Sequence, residues 1–392
     1  MRSRYIAFAV LLTAFFYLAA PYFFEKKLFL NEVLAGIGFV ILMASPRKKL
    51  IKTPVTISVL LLLGVGIGHA LISAFRADGL YYYLRNLVIL YSIFSFFVGY
   101  YLFSYLPSFL RTFRSIISTY VLGLLFVPVP GLVYDRFSMA VAFPFFGRAV
   151  APKLVLPVII VLSLIYSQVH ESSTSLAIVA FFLLIWIFKS YRFFMATIVV
   201  ALVSLAALFI YLLPYLSMNP NVYSYYNTVG IWELISRHPL LGVDPNSTWR
   251  LVLWKQLLVD LFPENLLGIG FGTPALRYFP IEDYTKLDTL PYVIGAHNSF
   301  IYLFTRLGFP YVLIMVYLYA SVFKEYYYNR AFYRQSYGVI YFYGFFAVSV
   351  IAFFNPVLET PIYASAYYIL LGFLARQIEQ KRLHDYHAIA AT

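Results

Sequence analysis

The sequence predicts an all-α polytopic membrane protein with about twelve transmembrane helices and one large helical loop outside the cytoplasm. Its composition is the first reason: 62% of the 392 residues are hydrophobic and only 11% are charged, too few to cover a soluble domain of this size. The second reason is a series of apolar segments long enough to span a bilayer. The third is a single long polar insertion at 216–296. These observations place most of the chain in lipid.

Composition also excludes two kinds of chemistry. Cysteine is absent, so the chain forms no disulfide and offers no thiolate. The formal net charge of +13 does not indicate nucleic-acid binding, because the basic residues lie in short loops between apolar segments and form no continuous face. We therefore expect membrane lipid, and no nucleic acid, as a partner.

A transmembrane helix needs about 20 mostly apolar residues. The segments that meet this requirement are 5–24, 28–45, 54–75, 81–107, 115–134, 153–168, 173–188, 193–215, 300–323, 336–354 and 361–375. The first segment follows Arg2 and Arg4 and could be mistaken for a signal peptide. Because so many further spans follow it, we expect it to be retained as a span.

Basic residues orient these spans, because cytoplasmic loops collect Lys and Arg. The residues that mark such loops are Arg2, Arg4, Arg47, Lys48, Lys49, Lys52, Arg111, Arg114, Lys189, Arg192, Lys324, Arg330, Arg334, Arg376, Lys381 and Arg382. With eleven spans, the counts from the two termini disagree by one crossing between Arg114 and Lys153. We therefore expect a hidden twelfth element within 129–152, either a short span or a re-entrant segment, where several prolines favour irregular backbone.

This orientation places the insertion 216–296 outside the cytoplasm. The insertion holds seven of the sixteen acidic residues, and no other loop approaches its length. Long structured loops tend to carry function while helices supply the frame. We divide the chain accordingly into N-terminal transmembrane helices (1–215), the large loop with its amphipathic helices (216–296), C-terminal transmembrane helices (297–375) and a cytoplasmic tail (376–392).

Residues 248–262 predict an amphipathic helix in this loop, with Asn246 or Ser247 as its cap. One interpretation is an interfacial helix that lies on the lipid headgroups, with Arg250 extended towards water. The other is that Arg250 points into a cavity and binds a phosphate, braced by Trp254, because a guanidinium donates two parallel hydrogen bonds to oxyanions. Spacing alone favours the first interpretation and leaves the second open.

A glycine-rich stretch, 268–272, follows this helix. It superficially resembles a dinucleotide-binding fingerprint. That interpretation fails because no parallel strand–helix unit surrounds it and the cofactor would have to be outside the cell. We expect instead a tight turn that allows close backbone approach, and no cofactor.

The loop ends at His297, which stands at the start of the span 300–323. A single histidine is more often structural than catalytic. Here its position at the membrane boundary favours a catalytic role, because a neutral imidazole can take a proton from a sugar hydroxyl. The helix N-terminus and nearby arginines both disfavour the protonated form. His238 is the competing histidine within the loop.

These residues resemble the O-antigen ligase and polymerase superfamily. His297 and Asn298, followed by nine residues, Gly308, two residues and Tyr311, match the superfamily's signature. The 250–254 helix and the stretch 265–272 resemble its large periplasmic loop in the same order. Gly147-Arg148, followed by Pro152, resembles an earlier extracytoplasmic motif. The strong resemblance covers about 230–315.

The resemblance implies a twelve-span glycosyltransferase of the bacterial inner membrane with its active site on the periplasmic side. Its donor would be an undecaprenyl-pyrophosphate-linked glycan, transferred with inversion and without a metal ion or cofactor. His297 would activate the acceptor hydroxyl, Arg250 would stabilise the departing pyrophosphate, and the candidate substrate-binding residues are Arg148, Arg237, Arg277, Trp254 and Asn298. Fixed positive charge suits a leaving group that gains negative charge.

Alternative functions remain at this point. An O-antigen ligase moves the glycan onto lipid A-core, whereas an O-antigen or exopolysaccharide polymerase adds it to another lipid-linked repeat unit. The His-Asn motif favours the ligase, and protein glycosylation is a third possibility. A flippase of the lipid-linked unit is a different class, and the concentration of charge outside the spans argues against it. One departure from the family pattern is Arg306, two residues before Gly308, whose charge must face a wet cavity or a partner.

Overall fold

The computed structural model describes residues 30–44, 53–104, 173–216, 250–275 apart from 252 and 274, 297–335 and 338–390, together with separate positions of 154–167. All regular elements in these ranges are helical, and none of the described residues is in a strand. Four helical segments there are long and apolar enough to cross a membrane: Pro54–Ala74, Tyr83–Leu102, Tyr191–Leu212 and Ser299–Gln335. The prediction of a helical membrane protein is therefore confirmed. The predicted spans at 5–24 and 115–134 and the hidden element within 129–152 lie outside the described residues.

The main helices follow one another in this order: α1 (Leu30–Ala44), α2 (Pro54–Ala74), α3 (Leu80–Asn86), α4 (Val88–Tyr91), α5 (Ser95–Leu102), α6 (Ser173–Ile187), α7 (Tyr191–Leu212), α8 (Ser299–Gln335), α9 (Val339–Phe354) and α10 (Pro361–Ala390). Helix α8 packs along α2 and α9, and α10 packs along α5 and α9. The core lies between these helices and is rich in Phe and Tyr.

Helix α2 shows why the predicted and observed boundaries agree where local signals are strong. Thr53 caps the helix, because its side-chain oxygen accepts the N–H of Thr56 at 3.1 Å. Pro54 occupies the first turn, where a missing N–H costs nothing. The helix ends at Ala74, one residue before the predicted end of the span 54–75.

The predicted span 81–107 is not one continuous helix. Residues 80–102 form α3, α4, a short 3₁₀ segment (Ser92–Phe94) and α5 in succession. Helix α5 then meets α10 at unusually short range, because a Cβ added to Gly99 would overlap the backbone of Ile369 and one added to Gly372 would overlap that of Phe96. Small residues at such crossings let membrane helices approach closely and gain dispersion energy.

Helix α10 continues through the predicted boundary between the last span and the tail. It runs to Ala390, so residues 376–390 extend the helix of the span 361–375. Arg376 forms an ion pair with Glu379 one turn later, and Tyr100 of α5 donates a hydrogen bond to the same carboxylate. This pairing satisfies a buried acid and ties the end of α10 to α5.

Candidate functional site

His297 and Asn298 stand at the start of α8, as the sequence predicts. Asn298 caps the helix: its side-chain oxygen accepts the N–H of Ile301 at 3.0 Å, and its carbonyl accepts that of Tyr302 at 3.0 Å. His297 precedes the cap with a φ of 51°. This left-handed conformation is uncommon for a residue with a side chain, although histidine and asparagine adopt it more readily than most. Strain of this kind clusters at functional sites.

The His297 imidazole is held in its neutral form. Burial, followed by the positive charge of Arg250, lowers its pKa from 6.5 to about 4. The sequence predicted this direction from the helix N-terminus and nearby arginines. The structure confirms an arginine, Arg250, as one cause of the lowered pKa and adds burial as the larger cause. The two residues proposed for catalysis therefore interact electrostatically, although 47 positions separate them in the sequence.

The helix that carries Arg250 is observed at 250–251 and 253–260, within the predicted 248–262. Its last turn, Gln256–Asp260, is π-helical. The ring of Trp254 packs edge-on against that of Phe353 at the end of α9, with the ring centroids 6.1 Å apart. The ring of Phe353 in turn contacts that of Phe300, in the first turn of α8. Aromatic contacts thus connect the Arg250 helix to the helix of His297.

The side chain of Asn265 caps the C-terminal end of the Arg250 helix. Its amide nitrogen donates hydrogen bonds to the carbonyls of Leu257 at 2.8 Å and Leu258 at 3.2 Å. Carbonyls at a helix C-terminus have no partner within the helix, so the Asn265 side chain satisfies two of them. Asn265 itself lies in a single helical turn, Glu264–Leu267, which leads into the glycine turn 268–272.

A break in α8 receives this glycine turn. Gly308 has φ 73° and ψ −166°, and Pro310 has no N–H. The hydrogen-bond pattern of α8 is therefore interrupted around these two residues. The interruption frees carbonyls that the helix would otherwise use. Ile269 N–H donates to the carbonyl of Thr305 at 2.9 Å, and Gly270 N–H donates to that of Arg306 at 3.0 Å. His69 of α2 makes a hydrogen bond with the backbone of Leu307.

Glycine is required at 268 and 308 because the backbone of the loop contacts the backbone of α8 at these positions. A Cβ added to Gly268 would lie 2.6 Å from the carbonyl oxygen of Arg306, and one added to Gly308 would lie 2.5 Å from the carbonyl carbon of Leu267. Gly268 and Gly270 also have positive φ, at 85° and 73°. The predicted tight turn and close backbone approach are therefore confirmed.

Arg306 lies within a predicted span, and polar groups of the protein surround its charge. Its side chain is 2% exposed. One terminal nitrogen donates to the carbonyls of Gly270 and Thr273, and the other donates to the Tyr302 hydroxyl at 2.9 Å. Carbonyl dipoles of the glycine turn thus solvate the guanidinium in place of a carboxylate. Arg306, which departs from the family pattern, therefore links the large loop to the helix of His297.

The structure adds Glu359, which the sequence interpretation did not select. Glu359 lies in the 355–360 connection between α9 and α10, and its Oε2 accepts the Ser299 hydroxyl at 2.6 Å. The Ser299 oxygen also accepts the N–H groups of Val357 at 2.8 Å and Leu358 at 2.9 Å. Burial raises the pKa of Glu359 to about 7. The signal in the sequence was one carboxylate within an apolar C-terminal region, which marks a functional candidate in membrane proteins.

Three of the predicted substrate-binding residues cannot be placed relative to His297. Arg148, Arg237 and Arg277 lie outside the described residues, as does His238. Arg250, Trp254 and Asn298 are described and lie on elements that converge on the start of α8. The arrangement provides a neutral base, a fixed positive charge and several hydrogen-bonding groups at one end of the helix bundle.

Comparison with known protein families finds a match to part of the chain. Residues 155–316 match the family model described as O-antigen ligase. The matched range contains the Arg250 helix, the glycine turn, His297 and the break in α8, whereas Glu359 and the 355–360 connection lie beyond it. The family resemblance inferred from the sequence is confirmed. Neither the curated proteins nor the solved structures contain a match to this chain.

Proposed function

Because residues 155–316 carry the domain of the O-antigen ligase family, we propose that this multi-pass bacterial membrane protein transfers an undecaprenyl-pyrophosphate-linked glycan to a hydroxyl of lipid A-core. In this proposal the transfer takes place on the periplasmic side of the inner membrane, with inversion at the anomeric carbon and without a metal ion. The observation that carries it is the neutral, buried imidazole of His297 under the influence of the Arg250 charge.

His297 acts as the general base in this mechanism. A neutral imidazole takes the proton of the acceptor hydroxyl as its oxygen attacks the anomeric carbon of the donor sugar. The bond between that carbon and the pyrophosphate oxygen breaks, and the undecaprenyl pyrophosphate leaves with the bonding electrons. The capped start of α8 and the hydrogen bonds at its break hold the base in place during this step.

Arg250 is the proposed partner of the departing pyrophosphate. Its planar guanidinium donates two parallel hydrogen bonds to an oxyanion, and a fixed donor aimed at developing charge supplies several kcal/mol. Binding of the donor also offsets the positive charge that lowers the pKa of His297. The base therefore becomes stronger when the donor is present. We assign Arg148, Arg237 and Arg277 to the same anion and Trp254 and Asn298 to the substrate.

A transfer assay with purified protein in detergent tests the proposal. The donor is an undecaprenyl-pyrophosphate-linked glycan with a radioactive sugar, and the acceptor is either lipid A-core or a second lipid-linked repeat unit. We expect label in lipid A-core. Label in a longer lipid-linked chain would identify a polymerase instead, and the absence of any new glycosidic bond would contradict both enzymes.

His297→Asn is the sharpest variant for this assay. Asparagine tolerates the left-handed conformation of residue 297, so the substitution removes the base while keeping the backbone. We expect transfer to fall by at least about 100-fold, which is the usual contribution of a general base. An active His297→Asn protein would remove His297 from the mechanism.

A further inference from the structure

Two buried polar atoms at the start of α8 have no hydrogen-bond partner among the described residues. One is the amide nitrogen of Asn298, a residue that is fully buried, and the other is Oε1 of Glu359. Each belongs to a side chain whose other polar atom is engaged, since Asn298 Oδ1 caps α8 and Glu359 Oε2 accepts the Ser299 hydroxyl. Leaving a buried donor or acceptor without a partner is unfavourable, so both atoms are expected to meet one.

The same small network positions both atoms. Ser299 directly follows Asn298, and its hydroxyl lies 2.6 Å from Glu359 Oε2. The two N–H groups donated by Val357 and Leu358 hold the Ser299 oxygen, so the 355–360 connection is clamped to the first turn of α8. The free donor and the free acceptor are therefore fixed next to the same helical turn, directly after His297.

A buried donor and a buried acceptor held at the same helical turn match the chemistry of a sugar hydroxyl, which accepts one hydrogen bond and donates another. Neither group matches the pyrophosphate, because a carboxylate repels an oxyanion. The phosphate-binding residues already considered are cationic, so this pair belongs to a different part of the substrate.

We propose that Asn298 Nδ2 and Glu359 Oε1 form a subsite that binds a sugar hydroxyl beside His297. Asn298 donates to the hydroxyl oxygen, and Glu359 accepts its proton in a hydrogen bond. The inference rests on the proposed function and deepens it, because it adds a recognition element for the glycan to a site built from a base and cations. The hydroxyl belongs either to the acceptor sugar or to the donor sugar.

Two isosteric substitutions test the subsite without removing its supports. Asn298→Asp keeps the oxygen that caps α8 and replaces the amide donor with an acceptor. Glu359→Gln keeps an oxygen for the Ser299 hydroxyl and replaces the free acceptor with a donor. The double variant exchanges the donor and the acceptor, so a hydroxyl that reverses its orientation again pairs with both.

The assay is the transfer reaction at pH 8, above the pKa of Glu359 at about 7. Each single variant should raise the KM of one substrate about tenfold or more, as expected for loss of a hydrogen bond to a buried group. The double variant should recover most of that loss. The substrate whose KM changes, lipid A-core or lipid-linked donor, identifies the source of the hydroxyl. Glu32→Gln, at an exposed acid on α1, should leave both values unchanged.

Single variants with unchanged KM, or a double variant whose losses add, would overturn the subsite. Melting temperatures of all variants confirm folding, and Asn298→Ser, which retains a capping oxygen without the amide, replaces Asn298→Asp if that protein does not fold. Wild type and His297→Asn run in parallel. If wild type transfers glycan and His297→Asn does not, a negative result counts against the subsite alone. If wild type makes no glycosidic bond, the proposed function fails and the subsite fails with it.

Discussion

Arg306 and Gly270 are joined twice, once in each direction. The Arg306 guanidinium donates to the Gly270 carbonyl at 3.0 Å, and the Gly270 N–H donates to the Arg306 carbonyl at 3.0 Å. The first bond uses a side chain from within a span, and the second uses a carbonyl that the Gly308–Pro310 break leaves free. Together they attach the large loop to the helix that begins beside His297.

Arg306→Met tests this attachment. The substitution leaves the carbonyls of Gly270 and Thr273 without their donor, so we expect the free energy of unfolding to fall by roughly 2 kcal/mol. Thermal melting in detergent measures the change. Arg192→Met removes an exposed arginine at the start of α7 and should have little effect. Equal losses in the two variants would contradict a fastening role for Arg306.

Gly308→Ala tests the close approach of the two backbones. A Cβ at position 308 would stand 2.5 Å from the carbonyl carbon of Leu267, and the positive φ adds about 1–2 kcal/mol for any L-residue with a side chain. We expect a lower melting temperature and reduced transfer. Gly64→Ala is the matched control, because a Cβ at that position of α2 meets nothing within 4 Å. If Gly308→Ala behaves like Gly64→Ala, the contact does not support the site.

The pH dependence of transfer reports the state of His297. With a pKa of about 4, the imidazole stays neutral at pH 5.5, whereas an ordinary histidine would be mostly protonated and unable to act as a base. We expect kcat/KM to persist below pH 6 when it is measured in Glu359→Gln, because this background removes the neighbouring group whose pKa is about 7. Arg250→Gln removes the second cause of the lowered pKa, so the acid limb of its residual activity should move to higher pH.

The control for Arg250→Gln is another cation on the same helix. Lys255 pairs with Asp260 at 3.1 Å and is not among the groups that act on His297. Lys255→Gln should leave the acid limb in place. A shift of equal size in both variants would indicate a general effect of net charge.

Glu359→Gln should change how stability depends on pH. Between about pH 4.5 and pH 7 the folded protein keeps the Glu359 proton that the unfolded chain releases. The contribution of Glu359 to the free energy of unfolding of wild type therefore falls as the pH rises through that window. Glutamine has no such transition. We expect the melting temperature of Glu359→Gln, relative to wild type, to increase from pH 5 to pH 8. The difference between the two curves isolates Glu359 from His297, whose lowered pKa acts in the opposite direction.

The sequence predicted those elements that local patterns determine. Helix α2 was predicted at 54–75 and is observed at Pro54–Ala74, because a threonine cap, a proline and an apolar run are all local signals. The end of α8 was predicted at 323 and is observed at Gln335. A prediction based on apolar residues ends the span before Lys324, the first charged residue after the apolar run, whereas the helix continues past it.

The contacts of the candidate site required the structure. His297 and Arg250 were selected from the sequence, but burial as the main cause of the lowered pKa depends on the packing around the imidazole. The bond between Ser299 and Glu359 joins residues 60 positions apart, and that between Arg306 and Gly270 joins residues 36 positions apart. Spacing along one chain does not determine such pairs, so Glu359 was missed and the partner of Arg306 was left unnamed.

The main-chain bonds that seat the glycine turn on α8 have a consequence for which substitutions this joint tolerates. A peptide N–H and a peptide carbonyl are the same in nearly every amino acid, so the joint depends on the Arg306 side chain and on the absence of side chains at the glycines. Substitutions at the other positions of 268–272 leave these hydrogen bonds available. The turn can therefore change its surface chemistry and keep its place on α8.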